Sequence, residues 1–132
     1  MNAPQKWTII PTMHCIGIDI VEILRIEKAI ARWGEGFLHR VYTEPEIERY
    51  RKKPSSLAVR FAAKEAVIKA LGKSASVSLK DIEILSEPGG KPVVNLYGRT
   101  QDQAQASGLD GFAISLSHSK EYAVALVAGE AK

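Results

Sequence analysis

The stretch RFAAKEAVIKAL, residues 60–71, constrains the fold more than any other part of this chain. It is rich in helix formers and holds no breaker, yet at about 100° per residue it leaves no ordinary solvent face. Leu57, Phe61, Ile68 and Leu71 form one apolar stripe, with Lys64 inside it and Arg60 at its edge. Val59, Ala62, Ala63, Ala66 and Ala70 give a second surface of small residues on the far side. A helix apolar on both sides belongs in the middle of a fold. Arg60, Lys64, Glu65 and Lys69 then need partners, because an ion taken out of water without one costs several kcal/mol. Two accounts fit. In one, the lysines snorkel to solvent and Glu65 pairs with Lys69 at i, i+4, worth about 0.2–0.5 kcal/mol. In the other, the charges serve a ligand.

Around this helix the pattern is mixed. Residues 1–12 read as an extension or a first irregular strand, and residues 13–129 as a single domain. CIGIDIVEI alternates, with Ile16, Ile18 and Ile20 on one face and Gly17, Asp19 and Val21 on the other, which predicts a strand. A helix follows over residues 22–33 and stops at Gly34. FLHRVYTEPEIERYRKKP continues in helical pattern, with Thr43 and Glu46 as a capping box, up to Pro54. DIEILSE and KPVVNLY form a hairpin around Pro88, Gly89 and Gly90, residues 98–109 a short helix, and GFAISLS with YAVALVA a second hairpin. His118, Ser119 and Lys120 occupy its turn. The order strand, three helices, hairpin, helix, hairpin predicts an α+β domain with a mainly antiparallel sheet packed against a long central helix.

Composition narrows the partners. The 132 residues carry a net charge of +3 and a pI near 9.0, which favours an acidic partner or substrate. Sparse aromatics, 7%, and the lack of a reading motif argue against nucleic acid. No run approaches the length of a membrane span, and residues 1–15 are broken by Lys6, Pro11 and His14 rather than apolar throughout. Cys15 is the single cysteine, so no internal disulfide forms. The expectation is a cytoplasmic chain with neither membrane nor nucleic-acid partner.

The chemistry points to carboxylates and cations. Phosphate-loop, dinucleotide-binding and zinc signatures are all missing from the sequence. His14 and Cys15 are neighbours on a strand and point to opposite faces, a poor geometry for a nucleophile and its base. Asp19 lies inside an isoleucine-rich strand and needs compensation there. If the 60–71 helix packs over that strand, Asp19 and Glu65 converge. Two carboxylates with substrate phosphates suit Mg²⁺, and Arg60, Lys64 and Lys69 would surround the phosphates, an arrangement for phosphoryl-type transfer. A buried Asp19–Lys64 ion pair with no ligand fits the same residues equally well. Arg25, Lys28 and Arg32 share one face of the first helix, either merely solvated or gripping an acidic protein.

IGIDIVEILRI, RFAAKEAVIKALG and SLSHSKEYAVALV, with GGKP before the last, together resemble the holo-acyl-carrier-protein synthases, small 4′-phosphopantetheinyl transferases. The likeness covers residues 16–127. It implies the phosphopantetheinyl transferase fold, a homotrimer with sites between subunits, and Mg²⁺-dependent transfer of 4′-phosphopantetheine from coenzyme A to a serine of apo acyl carrier protein. By the same resemblance Asp19 and Glu65 hold the metal, Glu65 is also the candidate base, and Lys64 contacts the phosphates. Arg60, Lys69, Gly90, Lys91, Pro92 and His118 line the coenzyme A site, and Arg25 and Arg32 dock the acidic carrier. The chain departs from the family pattern after Gly72, where Lys73, Ser74, Ala75 and Ser76 replace a Gly-rich stretch. A non-catalytic module of the same fold, binding an acidic protein, is the alternative.

Overall fold

A computed structural model describes residues 2–7, 13–72 and 77–131. The elements run β1 (Met13–Glu22), α1 (Ile23–Trp33), α2 (Glu35–Val41), α3 (Glu44–Tyr50), α4 (Pro54–Leu71), a 3₁₀ turn (Leu79–Asp81), β2 (Ile82–Ser86), β3 (Pro92–Leu96), α5 (Gly98–Ala106), β4 (Leu109–His118) and β5 (Tyr122–Ala131). Strands β1, β5 and β4 form one antiparallel sheet in that order, and β2 and β3 a second. The α+β class holds, but the single expected sheet is two ladders, because the five-residue strands β2 and β3 pair with each other. Residues 2–7 carry no regular structure and are exposed. The irregular strand expected near Pro11 and the departure at residues 73–76 lie outside the described residues.

Helix α4 is the centre of the molecule. It opens at Pro54, where a missing N–H costs nothing, and ends at Gly72, whose φ of 86° suits glycine. Leu57, Ala58, Ala62, Ala63, Ala66 and Val67 are fully buried, so both apolar surfaces are covered. The three-stranded sheet packs on one side and the β2–β3 hairpin on another. Gly17 sets the closeness of β1: a Cβ there would overlap the carbonyl oxygen of Ala66 and lie 2.9 Å from the Ala70 nitrogen. The face of β1 bearing Gly17, Asp19 and Val21 therefore turns to the helix. Ile16, Ile18 and Ile20 face outward and are more than half exposed, at 57%, 58% and 62%.

The region 37–54 is two helices rather than one. Tyr42 is extended, at φ −112° and ψ 150°, and Thr43 then starts α3 through the expected capping box with Glu46. Helix α2 ends there, and the buried Tyr42 donates its hydroxyl to the Leu57 carbonyl at 2.7 Å. At the other end of the chain, β4 begins at Leu109, two residues before the expected strand, and His118 is its last residue rather than part of a turn.

Glu83 pins the hairpin to α3. It accepts from Thr43 Oγ1 at 2.7 Å, Tyr97 Oη at 3.0 Å and Asn95 Nδ2 at 3.2 Å. Burial alone would raise this carboxyl, but those hydrogen bonds and the Lys64 charge outweigh it and hold it below the ordinary glutamate value. A lowered carboxylate stabilises the fold above its unfolded value and loses that contribution as pH falls through its folded one. Acid unfolding of the wild type is therefore expected to steepen below about pH 4.5, and Glu83→Gln should flatten that limb. Identical slopes, followed by circular dichroism, would contradict the assignment.

Candidate active site

Two pairs of charges on α4 go to opposite sides. Glu65 and Lys69, four residues apart, share the face towards β1, while Arg60 and Lys64, also four apart, share the face towards β2. Lys69 Nζ lies 2.7 Å from Asp19 Oδ1 and donates to the Ile18 carbonyl at 3.1 Å. The Asp19 side chain is 19% exposed and that of Lys69 56%, so the pair is open to solvent on the lysine side. Glu65 is half-buried beside them. Burial first, and the Asp19 charge second, raise its carboxyl above the ordinary glutamate value, while Lys69 and Arg25 pull it down. Asp19, Glu65, Lys69 and Arg25 thus converge from β1, α4 and α1. Arg25, expected only on a docking face, reaches this cluster as well.

Two carboxylates this near, with the Asp19 charge felt at Glu65, can hold a divalent cation. Among the described residues no group of three or more His, Cys, Asp or Glu side chains surrounds such a position. A cation here would complete its shell with water and ligand oxygens, as Mg²⁺ does on phosphates.

Lys64 does not belong to this cluster, and the phosphate contact expected for it is corrected. It is fully buried, its Nζ lies 2.7 Å from Glu46 Oε1, and it donates to the carbonyls of Leu79, at 3.0 Å, and Ile82. Burial pushes its ammonium below the ordinary lysine value, against the pull of Glu46. The buried Asp19–Lys64 pair weighed from sequence is absent too: Asp19 meets Lys69 and Lys64 meets Glu46. Glu46 was missed as a partner. The capping box located it, but its Oε2 also accepts from the Ile84 N–H at 2.8 Å, a contact the sequence pattern does not signal.

The remaining expected residues are spread over three places. Arg60 is buried and bound to β2, donating to the Ile84 carbonyl at 2.8 Å and Ser86 Oγ at 3.0 Å. Gly90, Lys91 and Pro92 lie at the turn between β2 and β3, where Gly90 has φ 91°. His118 is exposed at the end of β4, with Nδ1 3.3 Å from the Ser119 carbonyl. The register places it on the same sheet face as Asp19, two strands across and one step further along. Arg25, Lys28 and Arg32 line a cavity of about 570 Å³ with Trp33, Phe37 and Phe61.

Residues 15–127 match the family model of the 4′-phosphopantetheinyl transferase superfamily. The chain belongs to this superfamily. A holo-[acyl-carrier-protein] synthase of Dehalococcoides mccartyi (strain CBDB1) is 50% identical over 114 residues, 86% of this chain and 96% of that one. The structure of the Helicobacter pylori holo-[acyl-carrier-protein] synthase in complex with coenzyme A superposes with a TM-score of 0.78 at 37% identity, covering 87% of this chain and 99% of that one. That of the Bacillus anthracis holo-(acyl-carrier-protein) synthase in complex with CoA (3′,5′-ADP) gives 0.74 at 35% identity, covering 92% and 99%. Within this phosphopantetheinyl transferase, Asp19 on β1 and helix α4, which carries Glu65 and Lys69, fall inside the matched region.

Proposed function

We propose that the chain is a holo-[acyl-carrier-protein] synthase: it transfers 4′-phosphopantetheine from coenzyme A to a serine of an apo acyl carrier protein and releases adenosine 3′,5′-bisphosphate. The observation that carries this reading is the convergence of Asp19, Glu65 and Lys69 within a chain that belongs to the superfamily. Coenzyme A is the co-substrate, as in the complexes of the two solved relatives.

Asp19 and Glu65 are the residues that would hold Mg²⁺. Bound there, the metal would supply charge neutralisation for the pyrophosphate as the leaving group departs. The side chains do the rest. Glu65, through a water, takes the proton of the carrier serine, and a carboxyl raised above its ordinary range is better matched to that task. The serine oxygen forms a bond to the β-phosphorus as the bond to the departing bisphosphate breaks, and no covalent enzyme intermediate is needed. Lys69, more than half exposed, turns from Asp19 to the phosphates. Gly90, Lys91, Pro92 and His118 line the coenzyme A site. Arg25 and Arg32, with Lys28 between them, receive the acidic carrier.

A homotrimer completes the site. Ile16, Ile18, Ile20, Tyr122 and Leu126 share the outward face of the three-stranded sheet, and an apolar face of this kind fits further copies of the chain. Light scattering at a monomer mass would count against it. A cytoplasmic location suits the single cysteine and the co-substrate.

Mass spectrometry of an apo carrier incubated with the protein, coenzyme A and Mg²⁺ tests the activity. A phosphopantetheine adduct is expected. Its absence with several carriers would favour a non-catalytic module instead. Arg32→Glu is expected to raise the carrier KM about tenfold, the size of one lost charge contact. Arg25→Glu should also lower kcat, because it places a third negative charge beside Asp19 and Glu65.

A further inference from the structure

One residue at the base of the β2–β3 turn is held from three directions. Ser86 closes β2 opposite Pro92, immediately before the turn that carries Gly90 and Lys91. Its backbone N–H donates to Tyr50 Oη at 3.1 Å, its Oγ accepts from Arg60 Nη2 at 3.0 Å, and its carbonyl accepts from Arg49 Nη1 at 3.5 Å. Every polar group of Ser86 thus has a partner on α3 or α4. The partners brace one another: the Arg60 guanidinium lies 3.5 Å over the Tyr50 ring, and its Nε donates to the Ile84 carbonyl at 2.8 Å. Burial would raise the Tyr50 phenol, but the Ser86 bonds, the Arg60 charge and an Arg49 bond hold it below the ordinary tyrosine value, which fits an oxygen used as an acceptor.

The turn beyond Ser86 is closed on itself. Glu87 N donates to the Lys91 carbonyl at 2.8 Å, and Gly90 N to the Glu87 carbonyl at 2.7 Å. A turn with internal bonds and exposed side chains moves largely as one piece, so its orientation is decided where it joins β2. A hairpin of two five-residue strands has little rigidity of its own. Glu46, Arg60, Lys64 and Thr43 hold the body of β2, and at the turn end the contacts on Ser86 do so.

We propose that Tyr50, Arg49 and Arg60 form a latch on Ser86 that fixes the β2–β3 turn in the orientation in which Gly90, Lys91 and Pro92 meet coenzyme A. The proposal rests on the reading of that turn as part of the coenzyme A site. Arg60, expected from sequence to line the site itself, acts through Ser86 and is a positioning residue, as are Tyr50, Arg49 and Ser86. Preorganisation of this kind lowers the ordering cost of binding and leaves the chemical step alone.

Ser86→Ala removes the acceptor of Arg60 and keeps the backbone contacts, and Tyr50→Phe removes the phenol oxygen while leaving the ring under the guanidinium. In each, the KM for coenzyme A and the Kd for adenosine 3′,5′-bisphosphate, measured by calorimetry, are expected to rise about tenfold, the size of one hydrogen bond. The kcat at saturating coenzyme A and the carrier KM should stay within about twofold, and Ser86→Thr, which keeps a hydroxyl, should restore the affinity. Variants that bind the bisphosphate as tightly as wild type overturn the latch. So does a uniform loss in kcat and both KM values with a lowered melting temperature, the result of a merely structural role. A wild-type protein that neither binds the bisphosphate nor modifies a carrier overturns the transferase reading, and the latch with it.

Discussion

Asp19→Ala and Glu65→Ala are each expected to lower kcat by about a thousandfold or more, the several kcal/mol that a polarising metal contributes to phosphoryl chemistry. Neither change should unfold the protein. Glu65 is half-buried and raised by burial and by Asp19, so its removal relieves repulsion. Asp19 loses its partner Lys69, but that ammonium is more than half exposed, and such a pair stabilises by less than about 1 kcal/mol. Single-turnover transfer followed by mass spectrometry, beside thermal unfolding of the same samples, separates the two effects. A kcat within tenfold of wild type in either variant would remove that residue from the proposed metal site. The Glu65 carboxyl, followed by carbon NMR, should titrate above the ordinary glutamate range, and its midpoint should fall in Asp19→Asn, because a neighbouring negative charge has been removed.

Lys64→Met is expected to destabilise the fold by about 3–5 kcal/mol, the usual cost of leaving a buried charge without its partner. The stranded group is Glu46, fully buried with Lys64 and held by Thr43 N at 2.9 Å and Ile84 N at 2.8 Å. The double variant Glu46→Gln, Lys64→Met should recover most of the loss, since neither ion of the pair is then left without its partner and the amide still accepts one of those bonds. Urea unfolding of both single variants and the double gives the coupling directly. A Lys64→Met cost below about 1 kcal/mol would mean that the pair is not the buried ion pair described.

These two experiments turn on Glu65 and Lys64, neighbours on one helix, and the contrast shows how far the sequence reaches. That α4 is central follows from its pattern, because two apolar surfaces with small residues between them cannot face water. The Thr43–Glu46 capping box and the Gly89–Gly90 turn were legible for the same reason: each depends on residues a few positions apart. The roles of Asp19 and Glu65 came from the family resemblance, and the physical argument alone left a metal site and a plain ion pair level.

What the sequence left open is the assignment of each α4 charge to a side. A helical wheel gives the angle at which a side chain leaves the axis, and nothing about what waits there. Lys69 finds Asp19 fifty residues away, and Arg60 finds Ile84 at a separation of 24. Lys64, read as a phosphate contact, points instead at Glu46 and the carbonyls of the hairpin. The same limit applies to β1: alternation determined that Asp19 and the isoleucines lie on opposite faces, but not which face is covered. Gly17 decided that, since without a Cβ it lets α4 approach on the Asp19 side and leaves the isoleucines exposed. By itself the sequence determined most of the elements, the Gly89–Gly90 turn and the presence of four charges on a helix with no solvent face, all consequences of local geometry. Only the tertiary structure decided which two of those charges open onto a site and which two are sealed in the core, because a charge takes its role from partners that the chain brings to it from far along its length.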